Sequence, residues 1–519
     1  MHFLSCIMGK SRFPDIVFIM EDHQSFYGHG EQIGSIPIQK PNFQRVASEG
    51  IEFTRAYTCI PLCGPARRSL LTGLYPHNHK EIKNETHHPY DKETYFEGLK
   101  RRGYDLYYYG KWHTGSGTAH DFGCVGFCYP RFGNPYITDE YQQYLKEKNL
   151  PPIEVEVHHA LIPEHMQEQY GIYPGEKYKP VFPVNHEHIC GLMTTPKESH
   201  EVYFFAHMVI QKLKEVANER RKGNHKPFHL RLDFYSPHAP YYVSQEFLDL
   251  YPPKKIRMSP SFSEKLDMKP DIYKVELNPP MGKNWRLTIP NRVSWRTFQE
   301  IIAFHYAQQS MADEAGGIVI NAIKKLGMEE NMLLFWTSDH GDGLGCHGGH
   351  FDKEAYMPEE LLRTPLVVRY PGVIKPGQKN GKLVSNIDYP STILEAAGTK
   401  FSNEVDGTSL FPLFKDSNTK WREELMSQTY GNFKSHFGRA LVTESGWKYI
   451  YNENDMDELY NLKEDPYELE NLIYKKEYSE MLEDLKARLA RLREKTGDNL
   501  NFAWIRGRHL KEPKIWKKE

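Results

Sequence analysis

Pro14-Asp15-Ile16-Val17-Phe18-Ile19-Met20, ending at Glu21-Asp22-His23, is a short apolar, β-branched run that delivers polar groups at its C-terminal end. Unbroken apolarity over so few residues is the pattern of a strand buried on both faces. A second run, Asn331-Met332-Leu333-Leu334-Phe335-Trp336-Thr337, ends in the same way at Ser338-Asp339-His340-Gly341-Asp342. In an open α/β sheet the ligand site lies beyond the carboxyl ends of the strands, so these two acid-bearing ends are expected to converge despite their distance in sequence. Further strands are predicted at 105–109, 229–234 and 366–369, and helical apolar spacing at 201–220 and 298–326. That alternation predicts an α/β fold with a mixed, mostly parallel sheet sandwiched by helices. Residues 129–190, rich in Pro, Tyr, His and Glu, read as an insertion near the site. After the turn-bounded segment 408–414, short strands are expected at 439–443 and 447–451 and a charged amphipathic helix at 476–495. The expected division is a larger domain, 1–415, and a smaller C-terminal α+β domain with a short antiparallel sheet, 416–519.

Composition narrows the function classes. The 519 residues carry 66 Lys and Arg against 68 Asp and Glu, a net charge of -2. No basic field exists to recruit nucleic acid, so any anion binding must be local. Hydrophobic residues make up 39% of the chain, yet no apolar run approaches the roughly 20 residues of a membrane span. The apolar start Met1-His2-Phe3-Leu4-Ser5-Cys6-Ile7-Met8 breaks at Gly9-Lys10-Ser11-Arg12, too short for a secretory signal, and a cytoplasmic location is expected. Seven cysteines are too few and too scattered for a disulfide framework.

The segment Cys63-Gly64-Pro65-Ala66-Arg67-Arg68-Ser69-Leu70-Leu71-Thr72-Gly73 places a cysteine at a helix start beside two arginines suited to sulfate or phosphate. On its own, such a cysteine is as readily structural as catalytic. Glu21, Asp22, Asp339 and His340 add hard oxygen donors and an imidazole appropriate to a divalent cation of the Ca²⁺, Mg²⁺ or Mn²⁺ kind.

From about residue 13 to 472 the chain resembles the sulfatase family of the alkaline-phosphatase-like superfamily. The Cys63 segment resembles that family's nucleophile motif, Glu21-Asp22 its acidic pair, and Asp339-His340, continued by Leu344-Gly345-Cys346-His347-Gly348, its Ser-Asp-His-Gly element. Gly110-Lys111-Trp112-His113 is similar to the second signature, and Ser236-Pro237-His238-Ala239-Pro240 to the segment carrying a further histidine. Lys353 stands before Arg363-Thr364-Pro365-Leu366, where the family places a sulfate-binding lysine, and Glu458-Leu459-Tyr460-Asn461-Leu462 resembles its C-terminal element. Glu21 replaces the commoner aspartate, Ala66 the commoner serine, and Leu106 a frequent hydroxyl residue.

The resemblance implies an alkaline-phosphatase-like fold and hydrolysis of a sulfate ester, exo-acting on a sulfated carbohydrate or a small sulfate ester. It implies that Cys63 becomes formylglycine through a formylglycine-generating or sulfatase-maturating enzyme. One divalent cation would be held by Glu21, Asp22, position 63, Asp339 and His340, with calcium expected first and manganese or magnesium as alternatives. Lys111 and Lys353 would meet sulfuryl charge, Arg67 would orient the hydrated aldehyde, His238 would protonate the leaving alcohol, and His113 would release the sulfate. The alternative is a phosphonate monoester or phosphodiester hydrolase of the same superfamily. A non-catalytic binding protein on the same fold is a third reading. His77, His79 and His347 lie near motifs but receive no role, and nothing in the sequence gives the oligomeric state.

Overall fold

The computed structural model describes residues 13–84, 86–129, 134–180 and 188–500. The N-terminal stretch on which the expected location rests, and the last 19 residues of the expected C-terminal domain, lie outside these.

Eight strands form the central sheet: Asp15–Glu21 (β1), Ile51–Phe53 (β2), Asp105–Lys111 (β3), Val125–Tyr129 (β4), Phe228–Asp233 (β5), Met332–Ser338 (β6), Leu366–Arg369 (β7) and Gln378–Asn380 (β8). Their order is β8-β2-β7-β6-β1-β5-β3-β4. Only β7 runs against the rest, pairing antiparallel with both β6 and β2. The two acid-ended runs are neighbours in the middle of the sheet, in parallel register from Asp15↔Met332 to Glu21↔Ser338. Their polar ends therefore leave the sheet side by side, as the sequence led one to expect.

Alternation along β1 sorts its side chains between two cores. Val17 and Ile19 join one apolar cluster with the long helices Glu201–Arg221 and Trp295–Lys325, while Ile16, Phe18 and Met20 join another with Leu70 and Leu71 of helix Cys63–Thr72 (α1) and with Ile393 and Leu394 of Asp388–Ala396. Helices thus cover both faces. Mutual burial of β-branched and aromatic side chains holds these layers, each large side chain contributing about 1.5–3 kcal/mol.

Residues 129–190 do form an interruption, and its strands Val155–Ala160, Lys177–Tyr178 and Ile189–Met193 make a separate sheet completed by Tyr241–Val243. A C-terminal antiparallel sheet comprises Glu424–Gly431, Ser435–Thr443, Trp447–Asn452 and Glu458–Asn461, followed by helix Ser479–Thr496. It shares a core with the catalytic layers: Cys59, Ile60, Leu62 and Ala66 pack with Met426, Leu441, Leu459 and Leu485. No helix of the described residues is long and apolar enough to cross a membrane.

Candidate active site

Cys63 is the first residue of α1, and every residue of that helix is buried. Helical spacing puts Arg67, four residues on, on the same face as Cys63, and turns Arg68 away. The two arginines accordingly serve different places. Arg67 donates from Nε to Asp339 Oδ2 (2.8 Å) and from Nη1 to Asp233 Oδ2 (3.2 Å) and the Lys111 carbonyl (2.9 Å). Its Nη2 has no hydrogen-bond partner and lies 3.8 Å from Asp22 Oδ1. Arg68 instead donates to the carbonyls of Thr114 and His88 and stacks on Tyr90, 3.3 Å from the ring centroid.

Three groups surround Cys63 Sγ: His340 Nε2 at 3.1 Å, Asp22 Oδ1 at 3.6 Å and His23 Nε2 at 3.7 Å. Both imidazoles are oriented from behind. His340 Nδ1 donates to the Gly341 carbonyl (2.8 Å), and His23 Nδ1 meets Asp342 Oδ2 (3.2 Å). An acceptor on the far nitrogen leaves the near nitrogen a lone pair, the arrangement that prepares histidine for a cation. Asp22, His23, Cys63 and His340 offer ligand atoms all within 4.8 Å of one another, and all four are buried. The donor set fits a divalent cation.

This set departs from the sequence expectation at two positions, Glu21 and Asp339, and includes His23. Glu21 does not join it. As an odd-numbered residue of β1, Glu21 shares the face of Val17 and Ile19, and its Oε1 accepts from Trp336 Nε1 (2.8 Å). Burial, against the opposing charge of Lys40, pushes the Glu21 carboxyl up to about 7. His23 supplies the ligand atom instead, because its φ of 66° swings the chain out of the pleat. Asp339 stands beside the cluster rather than in it: Oδ1 accepts from the backbone of His340 and of His23, and Oδ2 holds Arg67.

The lysines close the site. Lys111, at the end of β3, ion-pairs with Asp22 Oδ2. Lys353 Nζ contacts His23 Nε2 and Asp352 Oδ1 (3.1 Å); burial opposes its charge, but Asp352, Cys63 and Asp22 raise its affinity for the proton. His238 packs its ring against His23, centroids 4.0 Å apart, and its Nδ1 donates to the Ala239 carbonyl (2.6 Å). Burial and then Lys111 and Lys353 hold His238 well below the ordinary histidine range. Its turn is anchored by Glu201, which accepts from Ser236, and by Gln308, which donates to Ser236 Oγ and the His238 carbonyl. His113 is buried after β3 with φ of 42°. Burial and the Asp22 charge push the Cys63 thiol up to about 12, so as a thiol it stays protonated near neutrality and is a poor nucleophile.

Sequence reasoning passed over Asp233 and Asp342. Asp233 is the last residue of β5 and accepts from Arg67, Arg231 and Tyr108 (2.8 Å). A lone acid closing an apolar run was the available signal.

A buried nucleophile position between a cation-binding set and two lysines defines, on an α/β sheet, a hydrolase for tetrahedral anionic esters. The family description "Sulfatase" matches residues 14–399, and "N-sulphoglucosamine sulphohydrolase, C-terminal" matches 345–495. The chain belongs to the sulfatase family and is a sulfuric ester hydrolase; membership implies a metal and a formylglycine. It is 25% identical to an N-acetylglucosamine-6-O-sulfatase of Bacteroides thetaiotaomicron, with 94% of this chain and 88% of that protein aligned. It is 28% identical to a choline-sulfatase of Rhizobium meliloti, over 88% and 82% respectively. A protein solved in complex with its substrate D-glucosamine-2-N,6-O-disulfate superposes with a TM-score of 0.70 at 21% identity, covering 94% of this chain and 99% of that one. A phosphonate monoester hydrolase of Agrobacterium radiobacter superposes at 0.71 with 20% identity, covering 93% and 96%.

Proposed function

We propose that this enzyme removes sulfate from a small sulfated sugar, exo-acting, with Cys63 converted to formylglycine and one divalent cation held by Asp22, His23, His340 and position 63. The observation that carries this reading is the pair of imidazole lone pairs aimed at Cys63 from between two lysines. Two imidazoles in the donor set favour Mn²⁺ or another borderline ion over the calcium expected from oxygen donors. Such a cation supplies Lewis-acid charge, and formylglycine hydrate supplies a hydroxyl nucleophile in place of the inert thiol.

This chain's own residues do the rest. Lys353 and Lys111 meet charge on the sulfuryl oxygens, preorganised where it develops. Arg67 keeps Asp339 and Asp233 in place, and its spare Nη2 lies 3.8 Å from the Asp22 oxygen that also faces Cys63. His238 keeps Nδ1–H on the Ala239 carbonyl, so its Nε2 is the atom that gains and gives the proton of the leaving alcohol. An arriving sulfate ester offsets the two lysines that disfavour the imidazolium, and thereby readies His238 as an acid. His113, in the buried turn after β3, is assigned to proton removal at the release of sulfate.

Activity of matured protein on N- and O-sulfated glucosamines beside aryl sulfate, choline sulfate and phenyl phosphonate tests the reading. Turnover of a sulfated monosaccharide above all others is expected. The likeness to phosphonate monoester hydrolases supports the second reading, and faster phosphonate cleavage would establish it. A peptide covering residues 56–67 should be lighter by about 18 Da than the encoded one, sulfur exchanged for oxygen with loss of two hydrogens. An intact thiol in the active enzyme would remove formylglycine from the proposal.

A further inference from the structure

The loop that follows His340 carries a second cluster of ligating groups. Cys346 and His347 are fully buried, and the Cys346 Sγ, a His347 ring nitrogen and a Glu360 carboxylate oxygen lie within 4.8 Å of one another. Glu264 Oε2 binds His347 Nδ1 at 2.7 Å, which directs Nε2 toward Glu360. Nε2 and Glu360 Oε2 are 3.6 Å apart, and neither has a hydrogen-bond partner. Two buried polar atoms that face each other without a hydrogen bond are destabilising, an arrangement that persists where something else satisfies them. A carboxylate on the far nitrogen of a histidine whose near nitrogen points at a thiol and a second carboxylate is the surrounding of a bound metal. The backbone is held for it, with His347 at φ 44° between Cys346 and Gly348.

We propose that Cys346, His347 and Glu360 bind a second divalent cation of the zinc class, with Glu264 as the positioning carboxylate. One thiolate, one imidazole and one carboxylate are a borderline donor set, unlike the oxygen shell of calcium or magnesium. Glu360 also lines a cavity of about 240 Å³. Binding releases the Cys346 proton to solvent, and any proton on His347 with it. A proton competes for the same place: against burial and the Lys269 charge, the hydrogen bond to Glu264 and the negative charge of Glu360 push the metal-free imidazole up to about 9. The ion would tie the loop that bears Asp342, the carboxylate behind His23, to the turn Glu359–Leu362.

The test uses the full chain, stripped by chelator and titrated with zinc, its metal counted by mass spectrometry. Two ions per chain are expected for the natural sequence, and one each for Cys346→Ser, Glu360→Gln and Asp22→Asn. Cobalt separates the centres: a thiolate-to-cobalt absorption is expected to survive Cys63→Ser and to vanish when Cys346→Ser is added to that variant. Zinc should raise the melting temperature of Asp22→Asn and not that of the double variant in which Glu360→Gln is added to it, Glu360 being a partly exposed position whose variant folds if Cys346→Ser does not. A metal count indifferent to Cys346 and Glu360, or a cobalt spectrum of Cys63→Ser without a thiolate band, would overturn the proposal in favour of an imidazolium clamped by two glutamates.

Discussion

Two buried cysteines in this molecule each sit with histidine and carboxylate, and they differ in what lies around them. Around Cys63 the acids Asp22, Asp339 and Asp233 are answered by Arg67, Lys111 and Lys353, and the histidines there are held below their usual range. Around Cys346 the acids outnumber the cations, Lys269 being the nearby positive charge, and His347 is held above it. A carboxylate cluster matched by cations invites a cation and an anion together, which is what an ester hydrolase requires. A cluster with surplus acids invites a cation alone. The same three residue types thus take opposite tasks from their second neighbours.

The comparison can be broken at several points. Cys63→Ala is expected to lower kcat/KM by at least about 10⁴-fold while Cys346→Ala stays within about 3-fold, measured on the best sulfate ester; equal losses would erase the distinction. Arg67→Met strips the partner from Asp339 and Asp233 and should cost on the order of 3–5 kcal/mol in urea unfolding, the usual effect of an abandoned buried charge. Lys353→Ala is expected to reduce kcat about 10²–10³-fold with little change in melting temperature; an unaltered kcat would take the lysine out of the sulfuryl site. Glu21→Gln should leave metal affinity and kcat within about 3-fold, whereas Asp22→Asn weakens the metal by about 10–100-fold or more. If the two variants proved equivalent, the face assignment along β1 would be wrong.

Much of the fold was legible because β1 and β6 are unbroken apolar runs and β5 alternates apolar with polar residues. These three strands and the helix Glu201–Arg221 fall within a residue or two of their predicted bounds, and the helix Trp295–Lys325 begins three residues before its expected start. The first strand of the C-terminal sheet, Glu424–Gly431, was missed because ELMSQTYG shows no clean alternation, although all but its first residue is buried. The sheet within 129–190 escaped because it is completed by Tyr241–Val243, outside the segment. At the site, the structure brings Cys63, Arg67, Lys111, Lys353, His238 and His340 together, while Glu21 and Asp339 stand outside the donor cluster. Glu21 and Asp22 read as a pair, yet neighbours on a strand point opposite ways. His23 reached the cluster through a left-handed residue, which no periodicity announces.

The burial of α1 has a consequence for the order of events in the cell. Cys63 is fully enclosed, and the back of its helix is capped by Met426, Leu441 and Leu485, residues translated after nearly all of the catalytic layers. Under the proposal that Cys63 becomes formylglycine, an enzyme that rewrites its side chain would meet residue 63 more openly before the last strands and the helix Ser479–Thr496 dock than after. Delaying the arrival of the C-terminal sheet should then lengthen the time available for maturation.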